Sequence, residues 1–524
     1  MPKARRLLRG EITYSAAKEK ETNVLHTLTY WSQRASFFAH LQKNSNLLEA
    51  AAARHLGVDA ASCHIAPQPD WMHGSFNVCI PISVRDGRCE KKVIIRLPLP
   101  YRVGEAFRPG NADEKLRCEA GAYTWLAENC PTVPIPQLYG FGLSTGQCQF
   151  TAIEHLPLVI RWLHCIRRLV LTAVGHPAPS RLVPCRRRAE QSQGLGVGYL
   201  LIEYIEEDRG TMLSNTWPEN HHDPKLRTNF FRSLSRLLLT MAGVPVPRIG
   251  SFIINNDGIL SLSNRPLSLE LQDLENEEIP TDIPRDITYS SVDAYVVDLL
   301  DVHDSRLRHQ PNGATNEADC IYQMCALTIM KTIFPHFFRR DLRRGPFVFC
   351  LTDLHQSNIL VDAHWNIRCL IDLEWACTQP VEMLHPPRWL TNRAIDEMDA
   401  AEYAGVHAEF MAAFEEEERR APAATVFAQD DPYSCSGTGT LSSILRYGWE
   451  KGTFWYAAAL RSPTGLFRVF YDHIQPRFAR GHQDEESFWT ICMYYWTEQT
   501  TRFINGKLED KAEYDRRLYD AFHG

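Results

Sequence analysis

Residues 347–375 read FVFCLTDLHQSNILVDAHWNIRCLIDLEW, and the fold is decided in this stretch. Phe347–Cys350 is an apolar run. A polar loop follows, carrying Asp353, His355, Gln356, Ser357 and Asn358. Ile359–Val361 and Ile367–Ile371 are two further apolar runs, and the five residues between them are a hairpin-length connection. Asp372 follows the last run at once. Paired strands lie about 4.8 Å apart, so pairing across this turn brings Asn358 beside the Ile371–Asp372 end. An amide oxygen and a carboxylate there make a hard, oxygen-rich half-site. Mg²⁺ takes such ligands and completes its shell with water and phosphate oxygens. Asp353, in the same loop, is placed to accept a proton from an attacking hydroxyl, or to orient it.

The stretch resembles the phosphotransferase family of kinase-like fold that includes aminoglycoside phosphotransferases and choline kinases. TDLHQSNILVD followed by LIDLEWA is similar to that family's D-L-H-x-x-N loop and I-D-x-E metal-binding strand, closest to its uncharacterised fungal branch. The resemblance implies an α+β, bilobal protein kinase-like fold with a small β-rich N-lobe and a larger, mainly helical C-lobe. It implies Asp353 as the catalytic base, Asn358 and Asp372 as Mg²⁺ ligands, and ATP as cofactor. It covers about residues 70–400 and is specific only over Thr352–Trp375. The expected division is an N-terminal helical extension (1–66), an N-lobe (67–208) with an insert near 152–197, a C-lobe (209–480) and a C-terminal helical segment (481–524).

Composition narrows the classes. The chain has 524 residues, 44% of them hydrophobic, which is ample for a globular core. A net charge of −7 argues against a general nucleic-acid binder and mildly favours a cationic substrate. Fifteen scattered cysteines without a C-x-x-C pair read as reduced thiols of a cytoplasmic protein. No apolar stretch is long enough to span a membrane, and Met1–Gly10 lacks the apolar core of a signal peptide.

In the N-terminal part, Thr27–Leu41 and Leu47–Leu56 have helical spacing. Phe76–Val84 and Lys92–Leu97 are β-type runs around Arg85-Asp86-Gly87, a hairpin signal. The loop before them, with Gly74, Ser75 and Asn77, takes the place where the kinase-like fold covers the ATP phosphates. Alone, this loop reads as an ordinary turn. Arg96, late in the second strand, stands where the family has a phosphate-contacting Lys. Its expected partner is Glu119 on a helix over Ala112–Asn129, capped by Asn111 or Asp113, with Leu116, Ala120, Tyr123 and Ala127 inward. Arg for Lys is not a conservative exchange. Leu351, where the family often has His two residues before the catalytic Asp, is a second departure.

Val133–Gly142 reads as a strand. Leu156–Val174 is a basic amphipathic helix, whose ordinary reading is packing on its own domain and whose alternative is peripheral membrane contact. Pro177–Arg188 reads as a loop ending in a solvated charge run. Gly194, Gly196 and Gly198 precede a strand, so they are no dinucleotide fingerprint. That strand, Tyr199–Ile205, is by resemblance the hinge, where main-chain groups of Glu203 and Ile205 contact adenine. Leu226–Ala242, Glu317–Phe334 and Ile395–Glu418 read as helices, and Phe252–Leu262 as a hairpin. His221-His222-Asp223 reads as loop surface. Trp449, Trp455, Tyr494, Tyr495 and Trp496 read as core ahead of a cation-binding cage. The function expected is an ATP- and Mg²⁺-dependent phosphotransferase acting on a hydroxyl of a small polar metabolite. Two alternatives are a kinase-like nucleotide-binding scaffold with little catalysis and, more weakly, a metal-dependent hydrolase using Asp353 and Asp372. Oligomeric state and the identity of the acceptor are not legible.

Overall fold

The alternation that marks residues 76–97 as paired strands is realised in the computed structural model, which describes residues 4–86, 89–146, 148–186, 195–421, 439–478, 485–496 and 498–524. Asn77–Asp86 and Cys89–Pro98 pair antiparallel, from Asn77 opposite Pro98 to Asp86 opposite Cys89. Gly87, at the expected turn, lies outside the described residues, as do Arg187, Arg188 and Gly194. The hairpin is the centre of an eight-stranded antiparallel sheet. Its order is Cys63–Ile65, Asn77–Asp86, Cys89–Pro98, Tyr199–Glu203, Leu138–Gly142, Cys148–Ala152 and Leu182–Arg186, with Met72–His73 also on Asn77–Asp86. One face buries Val78, Ile80, Ile82, Val93, Ile95 and Leu97 against the helices Tyr30–Lys43 and Ser45–Leu56.

Several boundaries differ from the sequence reading. The N-terminal segment begins with a short strand pair, Ala4–Arg6 with Glu11–Thr13, and ends in a strand of the large sheet, so it is not purely helical. The strand within Val133–Gly142 is only Leu138–Gly142, because the prolines upstream cannot donate to a ladder. Inside the expected insert, Leu182–Arg186 forms the sheet edge, where Pro184 is tolerated.

The helix Leu158–Ala173 meets its own domain along one narrow edge, through His164 and through Arg168, which pairs with Glu128 at 3.4 Å. Leu158, Val159, Trp162, Leu163, Leu169 and Val170 are all exposed, and His164 is its one buried side chain, bonded to the Ser180 carbonyl at 2.9 Å. No helix among the described residues is long and apolar enough to cross a membrane.

The helix that links the lobes is Asn111–Asn129. Neither Asn111 nor Asp113 caps it. The Glu105 carboxylate accepts from the Gly110 and Ala112 amides instead, at 2.7 and 2.8 Å. Asn111 is buried, donating to the Val103 carbonyl and to Glu275. Leu116, Ala120 and Tyr123 are buried, but Ala127 at the far end is exposed.

The C-lobe is mostly helical. Pro224–Ala242 starts on an Asp223 cap with Pro224 in its first turn, so His221-His222-Asp223 is a helix-start loop. Ser251–Ile254 and Leu260–Asn264 form the expected hairpin. Glu317–Phe337 delivers the chain to Phe347–Leu351, and Ala400–Arg420, capped by Asp399, starts later than expected. Trp455 is core, whereas Tyr494 and Tyr495 are exposed.

Candidate active site

Phe347–Leu351 pairs with Ala376–Pro380, so the two ends of the decisive stretch meet. Between them, Ile359–Val361 pairs with Ile367–Leu370. The Ile371 amide donates to the Asn358 carbonyl at 2.9 Å, which fixes Asn358 beside Asp372 as strand pairing requires. Asn358 Nδ2 donates to the Asp353 carbonyl at 2.9 Å and so pins the loop. Thr352 Oγ1 donates to the Trp375 carbonyl, and Trp389 Nε1 to the Leu354 carbonyl at 2.7 Å. These bonds hold a loop in which Leu351, packed half-buried against the core, offers none. Asp372 has φ 62°, a left-handed conformation uncommon for a residue with a side chain and concentrated at functional sites.

Asp353, Asn358 and Asp372 line one small cavity. Leu351, Thr352, Asp353 and Leu354 also line a second, larger one of about 340 Å³. Asp353 thus stands between two chambers. Burial, reinforced by Asp372, Glu374 and Glu270, pushes its carboxyl up to about 7.

The strand and helix residues converge on the same place. Arg96 Nη2 contacts Asp372 Oδ1, and Glu374 Oε2 at 2.9 Å; Arg96 Nε lies 3.4 Å from Glu119 Oε1. The expected Arg96–Glu119 pair is therefore present, but Arg96 also bridges to the C-lobe. Two residues the sequence reading did not assign complete the cluster. Lys115, one turn before Glu119 and fully buried, contacts Glu374, and Asn77 Oδ1 at 2.7 Å. Glu374, the acidic residue of Asp372-x-Glu374, also accepts from Asn77 Nδ2 at 2.5 Å. The signals for them were the motif's own Glu and the four-residue spacing of Lys115 and Glu119.

The electrostatics of this cluster are set by burial first. Burial works to raise Glu374, yet Lys115 and Arg96 overcome it and hold the carboxyl down at about 2. Glu119, with no hydrogen bond to either oxygen, is pushed up by burial to about 7 against Arg96 and Lys115. Burial raises Asp372 as well, with Arg96 opposing.

The remaining expected residues lie nearby in differing states. Asn77 has its side chain committed to Lys115 and Glu374. That leaves only its backbone for the loop's expected cradle. Gly74 and Ser75 are exposed in a turn closed by Gly74 N–H to the Asn77 carbonyl at 3.0 Å. The Glu203 N–H is used by the Gln137 carbonyl at 2.9 Å, and its side chain pairs with Arg209 at 2.6 Å. Ile205 is half-buried just beyond that strand.

As a donor set, Asn358 Oδ1 and Asp372 are hard oxygens on adjacent strand ends, which fits a Mg²⁺ ion that takes its other ligands from phosphates and water. No group of three or more His, Cys, Asp and Glu side chains able to hold a metal occurs among the described residues.

Residues 167–383 match the family model of the phosphotransferase enzyme family, APH, a span that contains Asp353, Asn358 and Asp372. No curated protein matches the chain at a significant level. Among solved structures, a macrolide 2'-phosphotransferase type I is 12% identical with a TM-score of 0.33, over 87% of this chain and 98% of that one. A spectinomycin phosphotransferase, APH(9)-Ia, in complex with ADP and spectinomycin is 10% identical with a TM-score of 0.28, over 84% and 93%.

Proposed function

We propose that this chain is an ATP- and Mg²⁺-dependent phosphotransferase that moves the γ-phosphate to a hydroxyl of a small polar metabolite. One observation carries the reading: Asp353 lines both the cavity it shares with Asn358 and Asp372 and the larger cavity behind it. A phosphate donor on one side and an alcohol on the other would meet at that carboxylate.

Asp353 accepts the proton of the acceptor hydroxyl and aims its oxygen. Asn358 and Asp372 would hold Mg²⁺, which supplies charge neutralisation between phosphate oxygens. Arg96 and Lys115 set two cations against the carboxylates of the site, which lessens the negative charge that an incoming phosphate would meet. The turn at Gly74 and Ser75 offers the Ser75 amide, since that of Gly74 closes the turn, and the Glu203 carbonyl with the main chain of Ile205 is the adenine edge. Positioning and charge, not covalent chemistry, do the work in such a transfer.

Calorimetric titration of ATP, with and without Mg²⁺, tests the reading on wild type and Asp372→Ala. Binding that requires Mg²⁺ and weakens in the variant is expected; absence of binding under every condition sinks it. Asp353→Asn should lower phosphoryl transfer by about 10²–10⁴-fold while ADP binding stays near wild type, because the residue acts on the acceptor side. Equal turnover would remove Asp353 from its role.

A second reading has one observation in its favour. Arg96 clasps Asp372, the carboxylate the metal needs, as a nucleotide-binding scaffold with little catalysis would tolerate. Arg96→Lys separates the two, since a shorter, single-point cation frees Asp372. A gain in ATP turnover favours the enzyme; no change, with binding intact, favours the scaffold.

A further inference from the structure

The larger cavity beside Asp353 has a charge pattern that the overall acidity of the chain does not suggest. Its charged lining is one carboxylate, Asp353, against three guanidiniums, Arg388, Arg393 and Arg461. Arg393 is neutralised by Glu402 at 2.9 Å. Among the described residues, Arg461 bonds only to neutral oxygens, the Gln379 side chain and the Met383 carbonyl, and its Nε is buried without a partner. Arg388 makes no hydrogen bond or ion pair among the described residues. His385, lining the same wall, has both ring nitrogens buried and unpartnered.

We infer that the acceptor is a hydroxylated small molecule carrying a carboxylate or phosphate, held by Arg388 and Arg461 with its hydroxyl toward Asp353. The inference rests on the phosphotransferase reading for the role of Asp353, but the anion site stands on its own geometry. Half-buried guanidiniums left without anions are costly unless a ligand completes them, and a planar fork suits a carboxylate or phosphate. Glu270 lies in an adjoining cavity that Arg461 also lines, yet it forms no ion pair with either arginine. The field acting on His385 agrees: burial, then Arg461 and Arg388, hold its ring far below the usual histidine range. A polycationic acceptor would meet these guanidiniums unshielded. The volume, about 340 Å³, is at the lower end of ligand pockets and suits a small metabolite.

Calorimetry on the full chain without nucleotide tests this, titrating D-glycerate and glycerol 3-phosphate against glycerol and choline. The expected result is binding of the two anions over the neutral and cationic probes, weakened at least tenfold in both Arg388→Gln and Arg461→Gln. Arg388→Lys should recover part of the loss, which a merely unfolded variant would not. Choline binding as tightly as the anions, anion binding indifferent to both substitutions, or no anion binding to wild type would each overturn it. ATP titration of the same preparation keeps the readings apart. Anion selectivity without ATP binding sinks the phosphotransferase and leaves the anion site, whereas ATP binding with cation preference does the reverse.

Discussion

Arg96 is held by carboxylates from both lobes, Glu119 on a helix of the N-lobe and Asp372 and Glu374 beyond the C-lobe hairpin. A guanidinium can do this because its donors are spread over a planar fork, whereas an ammonium is one point. Lys115 supplies that point charge from one helical turn away. Two cations of different shape thus share the buried carboxylates. Buried polar residues also set the acid sensitivity of the N-lobe. His55 lies in the core with its nitrogens on Thr151 Oγ1 and the Tyr199 hydroxyl, at 2.8 and 3.0 Å. Burial, with Arg54 and His155, lowers it to about 3 from 6.5. As pH falls from 6.5 towards 3, the unfolded chain takes up a proton that the fold refuses. Stability from this residue is complete above 6.5 and is lost across that window, by at most about 1.4 kcal/mol per pH unit. Replacing it, His55→Gln, should lessen the proton uptake on unfolding at pH 5 by close to one, measured from the pH dependence of denaturant midpoints. An unchanged slope would contradict a neutral, buried His55.

At the scale of elements, the Asn111–Asn129 helix is the part that positions the site, since it carries Lys115 and Glu119 and packs on the Ser251–Ile254 strand. The approach is close enough to demand glycine: a Cβ at Gly121 would sit 2.1 Å from the Phe252 carbonyl oxygen. Behind it, Arg265 is buried between Glu114 of this helix and Glu275, with Arg285 on Glu114 as well. Gly121→Ala should therefore destabilise the protein by about 1–3 kcal/mol, as overpacking does, and lower its melting temperature. Gly405→Ala is the control. It lies inside the Ala400–Arg420 helix with nothing within 4 Å of its added carbon, and should be neutral or stabilising. Equal melting of the two variants would dismiss the close contact. Helix periodicity located this helix to within a residue, but its cap came from Glu105 in the preceding loop, which local rules for Asn and Asp do not find.

For the whole molecule, the two ends of the chain are joined. Tyr514, Leu518 and Phe522 of the Thr500–His523 helix bury Ile12, Ala17 and Val24, and the Tyr514 hydroxyl accepts from the Val24 amide at 2.9 Å. The N-terminal segment then runs past the C-lobe, where Asn312 donates to the Lys20 and Thr22 carbonyls, to the helices that back the N-lobe sheet. Leu518→Asp puts a charge into that joint. It should speed hydrogen exchange over residues 12–24 while leaving the exchange of the Phe347–Leu351 strand near wild type. Uniform protection in the variant would mean the joint holds nothing. What the sequence by itself determined is local: the strand–loop–hairpin of residues 347–375, with Asp353, Asn358 and Asp372 in one loop system, and the helices with clear apolar spacing. Such features depend on neighbours in the chain and on fixed strand geometry, so periodicity and spacing reveal them. The tertiary structure alone decided which distant charges meet. Lys115 against Glu374, Asn77 drawn into the same cluster, and Arg388 and Arg461 gathered beside Asp353 come from segments far apart in the chain. Their roles follow from burial and mutual distance, which no local pattern encodes.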